Sequence, residues 1–204
     1  MLKNTFLSLA ANYSDNKTLH LTLWEEIVKN HTNKKRYYHT LVHLENLLFQ
    51  LSQVKTEISS WNTILFTLFY HDVIYNSLKS NNEEKSGEFA IERMQLLSVS
   101  KEIIKRCENQ ILATKHHKVS EDTDTNYFTD ADLAILGSNW ETYEQYYKNV
   151  RKEYAVYPNL VYNPGRKKAL KHFLTMDNIF KTEYFHQKFE KTARENIQRE
   201  IDLL

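Results

Sequence analysis

Three glycines and two prolines in 204 residues leave this chain almost without the residues that tight turns require. Two-residue hairpin loops need positive φ, which glycine supplies at no steric cost, and proline presets many of the remaining turns. A sheet-rich fold of this length would need a turn at every strand end. The scarcity therefore predicts an all-α architecture of long helices joined by short polar links.

Hydrophobic periodicity divides the chain accordingly. A short helix is expected at 2 to 13 and a longer one over KTLHLTLWEEIVKN (17 to 30). In HTLVHLENLLFQLSQV (39 to 54), Leu44, Leu47, Leu48 and Leu51 recur at helical spacing. From Ser60 to about Tyr75, one stripe holds Trp61, Leu65, Leu68, Asp72 and Tyr75. Helices follow near 83 to 98 and 100 to 116. The polar run HHKVSEDTDTNYF (116 to 128) reads as a loop, and a further helix is expected to begin near Asp130. TYEQYYKNVRKEYAVY should stay helical until Pro158 ends it. Asn163, Pro164 and Gly165 mark a turn, with two more helices to Leu204. The aromatic-rich C-terminal half is suited to an added helical layer or to an interface in a homo-oligomer.

Charge and cysteine content exclude several classes of partner. Lys plus Arg number 27 against 26 Asp plus Glu, so no basic footprint for duplex nucleic acid exists. Cys107 is the sole cysteine, which rules out an intrachain disulfide and a thiolate-rich zinc site. The N-terminal MLKNTFLSLAANYSDNK reads as a helix of the mature protein, not a signal peptide. No apolar run reaches membrane-spanning length. A cytoplasmic protein without a membrane partner is the expectation.

Four places carry polar groups that ask for an explanation. Asp72, preceded by His71, lies on an otherwise apolar stripe, where a carboxylate is costly unless it is paired or bound to metal. His39 and His43 are four residues apart and share a helix face, a spacing that suits an imidazole–metal site as well as a structural pair. Asp130 and Asp132 fall where a helix is expected to start, and capping explains at least one of them. His116 and His117 end a helix, where cationic histidine suits the dipole, and at most one of the two adjacent rings faces a given centre.

RYYHTLVHLENLL, FYHDVIY, ATKHHK and DADLAILG, in that order on a helical chain, resemble the HD superfamily of metal-dependent phosphohydrolases, and within it a group of small predicted members. The similarity extends through YNPGRKKAL and FEKTARENI. It implies one HD-type helical bundle over 1–204, with its core at about 35–140 and additional C-terminal helices at about 141–204. It also implies a metal held by His39, His71, Asp72 and Asp132, with His43 as the alternative first ligand or a contact to phosphate or water. Asp130 would orient Asp132. His116, His117 and Arg36 are candidates for a second metal or for phosphate.

The chemistry implied is hydrolysis of a phosphoester or phosphoanhydride in a nucleotide or another small phosphate compound. Nitrogen and oxygen donors without thiolate fit divalent Mn, Fe, Co, Ni or Zn. Lys115, Arg36 and Arg166 are candidates to neutralise phosphate; each is also readable as a solvated surface charge, and for Arg166 that is the favoured reading. Glu84, in preference to Glu83 beside it, is a candidate general acid or base, and acid in a first helical turn accounts for both residues equally well. Two other classes stay open: a di-iron oxygenase of the same fold, which needs more than four ligands, and a non-catalytic ligand-binding module.

Overall fold

A computed structural model describes residues 1–204 and is all-α: ten α-helices, two short 3-10 turns and no strand. No helix is long and apolar enough to cross a membrane. The chain forms two compact units, Met1–Thr129 and Asp130–Leu204.

In the first unit, α1 (Leu2–Ala11), α2 (Lys17–His31), α3 (Leu41–Gln53), α5 (Asn82–Leu96) and α6 (Lys101–Ala113) enclose α4 (Trp61–Tyr70). α4 packs against α1, α3, α5 and α6. Its sequence, WNTILFTLFY, is apolar all round, and every residue from Thr63 to Tyr70 is buried. A helix of that kind is stable only inside a core. Its two threonines turn inward without penalty because each finds a partner. Ser60 Oγ and Thr63 Oγ1 lie 2.6 Å apart, and Thr67 Oγ1 donates to Gln110 Oε1 at 2.6 Å.

α4 ends at Tyr70, five residues before the expected limit, so Asp72 and Tyr75 lie in the turns beyond it. His39 likewise sits outside α3, which starts at Leu41 behind the extended Thr40, so His39 and His43 do not share a helix. A larger difference concerns 116 to 128. α7 (Thr123–Leu133) begins inside this run, and Asp130 and Asp132 fall near its end, not at a helix start. Of the acidic residues that suggest a loop, Asp124 stands in the first turn of that helix and Glu121 and Asp122 just precede it, where carboxylates suit the dipole. Asp122 accepts from Thr125 Oγ1 at 2.7 Å. Asp124, fully buried, accepts the Ser59 and Ser60 N–H groups, both at 2.8 Å, and so caps the start of α4 across 64 residues of sequence.

The second unit carries a 3-10 turn at Ala134–Gly137, then α8 (Trp140–Glu153), α9 (Asn159–Leu174) and α10 (Glu183–Leu203). α8 stops at Glu153, short of Pro158, and Pro158 instead caps α9. No turn forms at Asn163–Pro164–Gly165: α9 runs through it. Pro164 stands in the second turn of the helix, where its missing N–H forfeits one intrahelical bond near an end that already has unpaired groups. Arg166, readable as a surface charge, is largely buried against Glu200. Phe180, Phe185 and Phe189 pack ring on ring, as do Trp140, Tyr143 and Tyr147. Phe180, Phe185, Phe189 and Tyr143 lie in the interior of this unit, and Trp140 and Tyr147 are half-buried at its edge.

Gly137 sets how closely the 3-10 turn approaches α10. A Cβ there would lie 2.5 Å from Phe189 Cβ, 2.7 Å from Phe189 O and 2.8 Å from its Cα, so backbone, not a movable side-chain tip, blocks it. Asn196 Nδ2 fastens the same junction by donating to Leu136 O and Ser138 O at 2.9 and 2.8 Å. Gly137→Ala is expected to destabilise the protein at the upper end of the roughly 1–3 kcal/mol typical of overpacking. Thermal unfolding checks this, and an unchanged midpoint would show that the junction yields freely.

Candidate metal centre

Within the first unit, donors converge from the turn before α3 (His39), from the first turn of α3 itself (His43) and from the turn following α4 (His71 and Asp72). His71, the residue after Tyr70, is buried, and its Nδ1 lies 3.1 Å from the Leu68 carbonyl. A carbonyl can only accept, so Nδ1 carries a proton and Nε2 is left to face His43 and Asp72. That Nε2 stands 3.2 Å from His43 Nε2 and 3.2 Å from Asp72 Oδ2. Asp72 Oδ2 is also 3.7 Å from His43 Nε2 and 3.9 Å from His39 Nε2. Three imidazoles therefore surround one carboxylate oxygen. Burial alone would raise the Asp72 pKa, but His71, His39 and His43 hold it well below the usual carboxylate range.

His43, His71 and Asp132 each offer a ligand atom within 4.8 Å of the others, a group able to hold a metal ion. Asp132 is carried by α7. The group includes His43 and not His39, the expected first ligand. His39 is the more exposed of the two; its ring stacks on Tyr75 at 4.2 Å between centroids. Asp130, two residues before Asp132, is fully buried and does not cap its own helix. It accepts the N–H groups of Lys181 and Thr182 at 2.9 and 2.7 Å, and Thr182 is the residue that precedes α10. Lys181 Nζ, also buried, lies 3.2 Å from Asp130.

Glu84 and Lys115 are brought together, as their expected roles require, but they form an ion pair with each other. Lys115 also donates to Ser80 O at 2.8 Å, and Glu83 is 3.9 Å away. The hydrogen bond from Lys115 lowers the Glu84 pKa and raises that of Lys115. His116 and His117 lie past the end of α6, His116 exposed and His117 at φ 50°, a left-handed conformation that histidine tolerates better than most residues. Neither belongs to the donor group around His71. Arg36 is buried, and its guanidinium is directed at backbone carbonyls. Cys107 is buried in the core, which pushes its thiol up to about 12 and leaves it inert as a ligand.

One buried group near this cluster escaped the sequence reading. His31, the last residue of α2, has its Nδ1 2.9 Å from Ile27 O, while its Nε2 has no partner. Trp24, Ile27 and His31 recur at helical spacing on the inward face, so the periodicity itself carried the signal. Burial, aided by the Arg36 charge, lowers the His31 pKa to about 3. In the unfolded chain it protonates near 6.5. The folded state binds fewer protons between these values, so this contribution is complete above pH 6.5 and is lost as pH falls toward 3. His31→Leu is expected to flatten the fall in stability across that window by up to about 1.4 kcal/mol per pH unit, the weight of one proton. Urea unfolding of both proteins at pH 4 to 7 tests it; parallel curves would contradict a buried neutral His31.

No family model, no curated protein and no solved structure matches the chain.

Proposed function

We propose that the protein is a metal-dependent phosphohydrolase of the HD type, cleaving a phosphoester or phosphoanhydride bond of a nucleotide or another small phosphate compound. The observation that carries this reading is the convergence at His71 Nε2, which is aimed away from its Leu68 anchor and stands 3.2 Å from both His43 Nε2 and Asp72 Oδ2. Imidazole nitrogens and a carboxylate at that spacing are held together by shared protons or by a cation, and a divalent ion binds in place of those protons.

The residues fit a divalent transition metal. His43, His71, Asp72 and Asp132 would hold it, with His39 at the edge of the set. Imidazole and carboxylate donors without thiolate suit Mn, Fe, Co, Ni or Zn. When bound, such an ion supplies a more acidic water and offsets charge on the phosphoryl oxygens. The polypeptide contributes the rest. His71, pinned by the Leu68 carbonyl, and Asp72, flanked by three imidazoles, keep the donors oriented before substrate arrives. Water attacks phosphorus, the bond from phosphorus to the leaving oxygen breaks, and the water's proton is passed on as the leaving oxygen gains one. Glu84 is assigned to this proton traffic and Lys115 to phosphate, so substrate phosphate would draw Lys115 away from Glu84 and leave the carboxylate free.

Elemental analysis of protein purified without chelator, followed by a screen for phosphate release from nucleotides and sugar phosphates, tests the reading. Near-stoichiometric Mn, Co, Ni or Zn together with chelator-sensitive release supports it. Two irons per chain and oxygen consumption would replace it with oxidative chemistry. No metal bound and none taken up would leave a helical binding module.

A further inference from the structure

We infer that Arg36 is a positioning residue that clamps the two donor-bearing turns together and so sets the metal affinity of the site. This inference rests on the metal reading above. Arg36 Nη1 donates to His39 O at 3.0 Å and to Asp72 O at 2.7 Å, and Nη2 donates to Val73 O at 2.9 Å. One buried guanidinium thus ties the turn before α3, which carries His39 and leads to His43, to the turn after α4, which carries Asp72 and follows His71. These segments are 36 and 37 residues apart in sequence along the Arg36 bonds, and no helix connects their backbones directly.

The chemistry of the clamp is specific to arginine. Carbonyls just past a helix C-terminus lack intrahelical donors and sit at the negative end of the helix dipole, so a cation with several N–H groups satisfies both needs. A planar fork reaches three carbonyls at once; an ammonium is a point charge without that geometry. The side chains are tied as well as the backbones. Tyr75 stacks on the His39 ring at 4.2 Å with 28° between planes, and the Arg36 guanidinium lies 5.5 Å from the Tyr75 centroid. Phosphate is a poor competitor for a guanidinium so engaged, and the role expected of Arg36 from the motif passes from substrate to scaffold.

The test uses Co²⁺ alone as probe, titrated into the full-length chain, into Arg36→Lys and into Arg36→Ala. Affinity and the visible absorption of the bound ion are followed, with the melting temperature of each metal-free protein as the measure of general damage. Groups that orient ligands typically shift metal affinity by about 10–100-fold. Arg36→Ala should bind Co²⁺ weaker by that factor with an altered spectrum, Arg36→Lys should fall between, and added guanidinium ion should restore part of the loss in Arg36→Ala. Native affinity and spectrum in Arg36→Ala would overturn the inference and leave the metal site standing. If Arg36→Ala does not fold, the Lys variant decides: native affinity and spectrum there overturn the clamp. Absence of Co²⁺ binding by the native chain would overturn both the clamp and the metal site.

Discussion

Asp72→Ala is expected to leave the purified protein without bound metal while its helix content stays native. The carboxylate oxygen lies 3.2 to 3.9 Å from three imidazole nitrogens, so its removal takes both a proposed ligand and a negative charge that these rings share. Loss of a group that merely orients a ligand costs about 10–100-fold in metal affinity, and loss of a ligand itself should exceed that. Any metal-dependent phosphate release should vanish in parallel. Elemental analysis and circular dichroism of the two proteins side by side give the answer. A variant that keeps its metal at native stoichiometry would remove Asp72 from the ligand set. The companion His71→Ala would then show whether the histidines hold an ion at all.

The second large effect concerns the other unit. Glu200 is almost fully buried and accepts two bonds from Arg166, at 2.7 and 3.0 Å, and one from Tyr143 Oη at 2.6 Å. Burial and the neighbouring carboxylate push the Tyr143 phenol far up, so it serves as a donor at any ordinary pH. Arg166→Met leaves the carboxylate buried without its countercharge, and breaking a buried pair from one side costs about 3–5 kcal/mol. At a few degrees per kcal/mol for a chain of this size, the melting temperature should drop by about 10 °C. Adding Glu200→Gln, which removes the stranded charge and keeps an acceptor for Tyr143, should recover most of the loss. A double variant no more stable than Arg166→Met would mean that packing of the arginine stem, not electrostatics, dominates there.

Periodicity and composition were enough for the helical class, because both are local: too few turn-formers for sheets, and leucines every third or fourth residue. They also singled out Asp72 beside His71 and the pair His39 and His43, since an ionisable residue on an apolar stripe, or two histidines four apart, is visible without a fold; Asp132, and the preference for His39 over His43, came only from the resemblance. Boundaries were decided elsewhere. α4 stops at Tyr70, so Asp72 projects from a turn; the run read as a loop becomes α7 because Asp124 is needed to cap α4 and Asp122 engages Thr125. Pro164 and Gly165 lie inside α9, whose packing against α10 outweighs their turn preference.

The choice among donors also belonged to the tertiary structure. Nothing in the chain order distinguishes His39 from His43, yet only His43 is grouped with His71 and Asp132. Arg36 and Arg166 are both cations beside promising motifs in the sequence. Folding directs one at three carbonyls and the other at a buried glutamate, partners 34 to 37 residues away in sequence along their longest-range bonds. A side chain's type fixes which bonds it can make, and helical spacing fixes which face it leaves from. Which group it meets depends on where two distant turns are brought together, and that is set by packing of the whole core rather than by any local pattern.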